Sequence, residues 1–150
     1  MHFMLDTCIC SYILKKRPPS VKVRFEELEP GALCISAVTL AELYYGAARH
    51  PRGDAIRKEI DDFAARLAVV TWDEAAADHY GTIRTLLEKK GTPIGAMDML
   101  IAAHARSIKA VLVTNDERVI RALGLGREEL SKTAPLFEHK DSAVLVIKFH

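Results

Sequence analysis

Residues 111–116, with the sequence VLVTND, decide the fold of this chain. Three aliphatic residues in a row indicate a strand that is buried on both faces, as in a parallel sheet. The carboxylate of Asp116 follows directly after this strand. Residues 3–6, FMLD, repeat the arrangement near the N-terminus and place Asp6 after a first strand. Helical patterns separate most of the strand segments, which predicts an α/β domain with a mainly parallel sheet and helices on both faces.

The alternation of strands and helices continues along most of the chain. Strands are predicted at 2–5, 32–35, 69–71 and 111–113, and helices at 7–15, 38–48, 73–90, 97–106 and 117–123. Asp54 is the predicted N-cap of another helix. Two more helices are predicted from spaced apolar residues: Val21, Phe25 and Leu28 in one, and Ile56, Ile60, Phe63 and Leu67 in the other. Beyond Gly126 the pattern weakens, although 143–149 fits a last strand.

The length and the net charge of the chain limit the classes of protein to which it can belong. A chain of 150 residues predicts a single domain over 1–150. The net charge is only +1, so any nucleic-acid site must come from local patches. No apolar run approaches the roughly 20 residues of a transmembrane helix, and the first strand does not fit a signal peptide. We therefore expect a cytoplasmic protein, with no membrane contact and with reduced thiols at Cys8, Cys10 and Cys34.

Four acidic residues stand beside apolar segments: Asp6, Glu42, Asp98 and Asp116. Burying an unpaired charge costs several kcal/mol, so such residues need partners. Sites in parallel sheets form at the carboxyl ends of strands, where these four side chains are expected to converge. A shared divalent cation would neutralise them together. Because no His or Cys cluster accompanies them, and His104 is expected to be a hydrogen-bonded core residue, Mg²⁺ or Mn²⁺ fits better than zinc.

Each acid also has an ordinary structural role open to it. Thr39 and Glu42 have the spacing of a capping box, while Ser36 is a competing N-cap that would leave Glu42 free to face the sheet edge. Asp6 could cap the helix that follows it. Asp98 could simply be favoured by the dipole of its helix, and Asp116 could belong to a turn.

Four segments taken together resemble the PIN-domain ribonucleases, and in particular the VapC toxins of bacterial toxin–antitoxin pairs. The segments are 4–10 (MLDTCIC), 35–46 (ISAVTLAELYYG), 93–105 (PIGAMDMLIAAHA) and 112–116 (LVTND). The likeness runs from about position 2 to about position 125 and leaves the tail 126–150 unassigned.

The resemblance implies a Rossmann-like PIN fold, with three α/β/α layers around a mainly parallel sheet. It implies an endoribonuclease that depends on Mg²⁺ or Mn²⁺, forms homodimers and is inhibited by a VapB-type antitoxin, with tRNA among the expected RNA substrates. The acidic quartet of the family falls on Asp6, Glu42, Asp98 and Asp116. Of these, Asp6, Asp98 and Asp116 would be metal ligands, with Thr114 and Asn115 supporting the site.

The chain departs from the family pattern in two places. Cys8 stands where the family often has Asn, and a thiol is a weaker hydrogen-bonding group than an amide. The tail after Gly126 does not follow the usual ending. Positive charge for the RNA backbone is expected from Arg118 and Arg121, which flank Asp116.

Three alternatives stay open at this point. A HAD-type phosphatase would need a second Asp two residues after the first, where Cys8 stands. A catalytically silent PIN scaffold that binds RNA or protein would not need metal at the acids. Finally, Tyr44 and Tyr45, together with apolar residues of the next helix, either bind a partner helix or simply pack together.

Overall fold

The computed structural model describes residues 2–16, 19, 25–122, 138–139 and 142–146. The strands are β1 (Phe3–Leu5), β2 (Leu33–Ser36), β3 (Ala68–Val70), β4 (Val111–Thr114), β5 (Glu138–His139) and β6 (Ser142–Val146). The helices are α1 (Thr7–Lys15), α2 (Ala37–Ala48), α3 (Gly53–Ala64), α4 (Glu74–Lys89), α5 (Ala96–Ser107) and α6 (Glu117–Ala122), and a short 3₁₀ helix covers Pro30–Ala32.

The strands form one sheet in the order β3-β2-β1-β4-β6-β5. All neighbours are parallel except β5, which runs antiparallel to β6 at one edge. In the central strands, Leu5 is in register with Ile35 on one side and with Val113 on the other. The residues that follow these three positions therefore stand at the same carboxyl edge of the sheet.

Side chains of the central strands alternate between two layers of helices. Leu5 and Ile35 belong to a core that includes Ile9 of α1, Leu43 of α2 and Phe63 of α3. Residues of opposite parity in the same strands point the other way: Met4, Cys34 and Leu112 pack with Ile101 and Ala105 of α5 and with Val119 of α6. The alternation of side chains along a strand thus explains the three layers.

The predicted three-layer α/β/α arrangement is confirmed, and most element bounds agree within one or two residues. Val21, the first residue of a predicted helix, lies outside the described residues, as do Leu123 and most of the tail, whereas Phe25 and Leu28 of the same prediction pack against the core. The last strand, predicted at 143–149, is described as β6. None of the described helices combines the length and the apolar character that a membrane crossing requires.

The prediction that Asp54 caps α3 is wrong. The helix begins one residue earlier, at Gly53, and Asp54 lies in its first turn. The reason is the tight connection from α2: a Cβ on Gly53 would stand 2.5 Å from the carbonyl oxygen of Ala47. Only glycine lets the two helices approach so closely.

Two glycine substitutions test this contact. Gly53→Ala should lower the free energy of unfolding by about 1–3 kcal/mol, because the added methyl meets a backbone oxygen that cannot rotate away. Gly46→Ala lies within α2 with open space around it and should raise stability by about 0.5–1 kcal/mol. Urea unfolding measures both changes, and equal effects of the two substitutions would contradict the packing.

Candidate functional site

Asp6 is fixed at the end of β1 by contacts on both sides. Its backbone N–H donates to the carbonyl oxygen of Val113 at 3.1 Å. One carboxylate oxygen, Oδ1, accepts from the N–H of Ile9 at 2.8 Å and so caps α1. The hydroxyl of Thr114 also hydrogen-bonds the Asp6 carboxylate. The side chain is 6% exposed, so Asp6 is both a helix cap and a buried acid of the candidate site.

Thr114 links the first and last acids of the predicted quartet. Its hydroxyl, which hydrogen-bonds Asp6, also accepts from the backbone N–H of Asp116 at 3.1 Å. Thr114 itself is fully buried at the end of β4. A hydroxyl can donate one hydrogen bond and accept others, which is what this bridging position requires. The structure thus brings Thr114 to the position where sequence analysis expected a supporting hydroxyl.

Glu42 reaches the same edge from α2. The N-cap of this helix is Ser36, whose hydroxyl accepts from the N–H of Val38 at 3.1 Å. Glu42 therefore lies inside the helix, and its Oε1 accepts a hydrogen bond of 2.6 Å from the hydroxyl of Thr7. Thr39 is buried rather than capping. The capping-box explanation of Glu42 is wrong, and the alternative with Ser36 as the cap is confirmed.

His104 of α5 supports this cap from the other layer. Its Nδ1 lies 2.8 Å from the hydroxyl oxygen of Ser36, and the ring is completely buried. Burial lowers the pKa of the imidazole, which favours the neutral ring. The expectation that His104 is a hydrogen-bonded core residue is confirmed. What the sequence did not reveal is its partner, which lies 68 positions away and begins the helix that carries Glu42.

Asp98 lies in the first turn of α5, after an N-cap position occupied by Gly95. A Cβ on Gly95 would stand 3.1 Å from its Oδ2, so the carboxylate lies close to the Gly95 backbone. Within the described part of the chain, Asp98 makes no hydrogen bond. Burial raises its pKa, and the negative charges of Asp116 and Glu42 raise it further. The charge of Arg118 acts in the opposite direction but more weakly, so positive charge only partly compensates this acid.

The acids affect one another's protonation, which shows that they share one region. Burial raises the pKa of Asp6 to about 6, and the charges of Asp98 and Asp116 add to the effect, against the hydrogen bonds from Thr114 and Ile9. Asp98 in turn responds to Asp116 and Glu42. Like charges raise pKa values only when they are near one another. Each of the four carboxylates thus lies within electrostatic reach of at least one other at the carboxyl edge, where the sequence predicted them to converge.

Asp116 differs from the others because it has its own counter-ion. Arg118 donates from Nη2 to Oδ2 at 2.9 Å and from Nε to Oδ1 at 3.2 Å, and its backbone N–H also donates to Oδ1 at 2.9 Å. This arginine lowers the pKa of Asp116. Arg118 was predicted to contact RNA phosphates, and its ion pair with Asp116 was not predicted. Arg121 forms a separate surface pair with Glu117 at 3.1 Å.

Residues beside the acids make a second set of contacts that the sequence did not predict. The hydroxyl of Tyr12 hydrogen-bonds both the Cys8 thiol and the side chain of Asn115. Asn115, expected to support the acids, thus contacts Tyr12. Cys8, which stands where the family often has Asn, is half-buried, and burial raises the pKa of its thiol. The thiol is therefore kept in its neutral form.

The donor set at this edge suits a hard cation. Its groups are carboxylate oxygens, and Asp6 and Asp98 both carry raised pKa values that a positive charge would lower. In the conformation described, no three His, Cys, Asp or Glu side chains stand close enough together to hold a metal ion, among the described residues. The acids are near enough to interact electrostatically, while Glu42 and Asp116 are engaged with Thr7 and Arg118. Metal binding at this edge therefore requires some of these side chains to change partners.

The aromatic surface on α2 is mostly internal packing. Of the residues considered for a partner helix, Ile60 and Phe63 are buried in the core. Tyr44 is half-buried, and its hydroxyl donates to Asp61 at 2.6 Å. Tyr45 is the exception, with 64% of its surface exposed. The simple packing explanation holds for Tyr44, Ile60 and Phe63.

Comparisons with known proteins agree with this architecture. The family model of the PIN domain matches residues 3–124. The tRNA(fMet)-specific endonuclease VapC of Shigella flexneri is 43% identical over 129 residues, which cover 86% of this chain and 97% of that protein. Ribonuclease VapC2 of Haemophilus influenzae (strain ATCC 51907 / DSM 11121 / KW20 / Rd) is 41% identical over 124 residues, which cover 80% of this chain and 93% of that protein.

Solved structures are similar over nearly their whole length. The VapBC2 complex of Rickettsia felis, bound to a DNA fragment from its promoter, matches with a TM-score of 0.77 and 37% identity, over 83% of this chain and 96% of that one. The DNA-bound VapBC complex of Salmonella typhimurium matches with a TM-score of 0.78 and 34% identity, over 97% of this chain and 98% of that one. The chain therefore belongs to the PIN-domain family and, within it, to the VapC ribonucleases.

Proposed function

We propose that this chain is the toxin of a toxin–antitoxin pair, an endoribonuclease that hydrolyses RNA phosphodiester bonds with the help of Mg²⁺ or Mn²⁺. The observation that carries the proposal is the electrostatic coupling of buried Asp6 with Asp98 at the carboxyl edge of the sheet. Both acids have raised pKa values, and a bound cation would relieve their mutual repulsion. Membership of the VapC ribonucleases supplies the reaction class.

Each residue of the site has a distinct role in this proposal. Asp6 and Asp98 supply the principal oxygen ligands, and Asp116 completes the set directly or through water. A bound Mg²⁺ or Mn²⁺ would activate a water molecule and neutralise charge on the scissile phosphate. Glu42, held by Thr7, would complete the ligand set or position the attacking water. Thr114 keeps Asp6 and the backbone of Asp116 at a fixed separation.

RNA is the proposed substrate, with tRNA as the class to test first, because the Shigella flexneri relative is named a tRNA(fMet)-specific endonuclease. Arg118 and Arg121 have exposed side chains on α6 beside Asp116 and are the proposed contacts to RNA phosphates. Their position supports cleavage in a single-stranded loop, where the backbone can reach the edge of the sheet.

A VapB-type antitoxin is the proposed inhibitor, because the similar solved structures are VapBC complexes. Covering the acidic edge would block the RNA. We also propose a homodimer, a cytoplasmic location, and a single domain over 1–150 with the tail included, since the Salmonella typhimurium structure matches 97% of this chain.

A catalytically silent PIN scaffold is the second candidate. The specific observation in its favour is that Arg118 occupies both carboxylate oxygens of Asp116. Such a protein would use the acidic edge only to bind a partner. The two functions differ in their response to metal, which an RNA cleavage assay separates.

Asp98→Asn should abolish RNA cleavage by the purified protein, because it replaces an anionic oxygen donor with a neutral amide of the same shape. Chelation with EDTA should abolish cleavage by the unmodified protein in the same way. Asp62→Asn removes an acid from the exposed face of α3 and serves as the matched control that retains activity. Denaturing gels of a tRNA mixture, with and without added Mn²⁺, measure the result.

Two results would contradict the assignment. Metal-dependent cleavage that survives Asp98→Asn would exclude this acid from the site. Tight RNA binding without cleavage, in the presence of excess Mn²⁺ and in all three proteins, would instead favour the silent scaffold.

Asp6→Asn should stabilise the metal-free protein at pH 7.5 by about 1–3 kcal/mol, because the amide keeps the helix cap and removes a buried charge. The pKa of Asp6 rises from 3.8 to about 6 on folding, so its ionisation costs the unmodified protein stability as the pH increases through 6. The stability difference should therefore shrink near pH 4. Urea unfolding in EDTA at both pH values measures it, and a pH-independent difference would show that ionisation of Asp6 is not the cause.

Thr7→Val should reduce the cleavage rate by about tenfold, because it removes the hydrogen bond that holds the Glu42 carboxylate. Thr7→Ser keeps the hydroxyl and should restore most of the rate. Single-turnover cleavage at saturating protein measures both variants. A full rate in Thr7→Val, or a loss in Thr7→Ser as large as that in Thr7→Val, would show that the hydroxyl bond to Glu42 does not set the rate.

A further inference from the structure

Arg118 holds Asp116 in a geometry that leaves little room for another ligand. Oδ1 receives two donors, the backbone N–H and Nε of Arg118, and Oδ2 receives Nη2. The backbone N–H of Val119 also hydrogen-bonds this carboxylate, so most of its lone pairs are taken. The fork of donors on a guanidinium is what makes this two-point contact possible.

The side chain of Arg118 can move from Asp116 into solvent. It is 79% exposed, whereas that of Asp116 is 21% exposed. Opening the pair returns the guanidinium to water and does not bury a charge. A solvent-exposed ion pair of this kind is weak and yields readily to a competing cation.

Among the described residues, no other acid of the site has such a partner. Glu42 accepts from a neutral hydroxyl, and Asp6 accepts from a backbone N–H and from Thr114. Arg118 also acts electrostatically on Asp98. One positive charge therefore contacts Asp116 and acts on Asp98, two of the acids proposed to hold the cation.

We infer that Arg118 is an internal counter-ion that competes with the divalent cation for Asp116 and must release this carboxylate before the site can be loaded. The inference rests on the proposed function and adds a residue that controls metal access. Once released, the guanidinium remains beside the acids with its donors free, where a phosphate oxygen of RNA would satisfy them.

The alternative role for Arg118 predicts the opposite change in the affinity for Mn²⁺. If Arg118 instead orients Asp116 for the metal, its removal weakens metal binding. If it competes, its removal strengthens binding. Calorimetric titration of EDTA-treated, dialysed protein with MnCl₂ distinguishes the two directly and does not depend on RNA cleavage.

Arg118→Gln should bind Mn²⁺ about two- to fivefold more tightly than the unmodified protein, a gain typical of losing one exposed ion pair. Arg118→Lys keeps the positive charge but loses the two-point contact, so it should also bind more tightly. Arg121→Gln removes the same charge one turn along α6, from a pair with Glu117, and should change Mn²⁺ affinity little. In steady-state cleavage, Arg118→Gln and Arg121→Gln should both raise the KM for RNA, so the affinity for Mn²⁺ is the measurement that separates the two positions.

Several outcomes would overturn the inference. Weaker Mn²⁺ binding by Arg118→Gln would show that the arginine orients Asp116. Unchanged affinity in Arg118→Lys, or equal gains in Arg118→Gln and Arg121→Gln, would show a general charge effect rather than competition. Titration of Asp98→Asn distinguishes failure of this inference from failure of the proposed function. If the unmodified protein and Asp98→Asn bind Mn²⁺ equally, or if neither binds it, the assignment of the metal site itself is wrong.

Discussion

The cost of holding like charges together in a partly buried site governs the local structure at the carboxyl edge of this sheet. Asp6 and Asp98 are removed from water by the fold, and each is made harder to ionise by neighbouring carboxylates. Desolvation and repulsion of this kind must be offset by hydrogen bonds or by positive charge. The contacts of the site follow from that requirement. Asp6 caps a helix and meets a hydroxyl, Glu42 accepts from Thr7, and Asp116 binds Arg118.

The stabilising contacts differ from one acid to the next, and the difference affects where a cation would bind. Asp116 is paired with a full positive charge, whereas Asp98 has no hydrogen bond within the described residues. A cation approaching this edge would therefore gain most at Asp6 and Asp98 and would have to compete at Asp116. Mg²⁺ usually keeps several of its waters and needs only one or two direct carboxylates, so this asymmetry suits it. A silent scaffold would use these acids only to bind a partner and would need no cation at this edge.

The fold and the positions of the acids within it were largely predictable, because local sequence determines both. Alternating strands and helices define the layers, and an acid directly after an apolar strand, as at Asp6 or Asp116, is at the carboxyl edge by construction. The helix from Thr7 to Lys15 was predicted with its observed bounds. Where the local signal was ambiguous, at the start of α2, the sequence allowed two caps and could not choose.

The details that the sequence missed depend on contacts between distant segments or on backbone geometry. Ser36 caps α2 with His104 against its hydroxyl, from a helix far along the chain. Asp54 does not cap α3 as predicted, because the helix begins at Gly53, which fits against the carbonyl oxygen of Ala47 in α2. The pairing of Arg118 with Asp116 is different: the two residues are only two positions apart, and the pair was open to prediction from the sequence. The ion pair was not predicted, because Arg118 was assigned only to RNA binding.

The central claim is that Asp6, after β1, and Asp98, in the first turn of α5, bind a divalent cation at the carboxyl edge of the sheet. Anomalous X-ray diffraction from crystals soaked in MnCl₂ tests it most directly. We predict a single strong manganese peak at coordination distance from carboxylate oxygens of both residues, and its loss in Asp98→Asn crystals. A peak elsewhere on the protein, or none at this edge at saturating manganese, would contradict the claim.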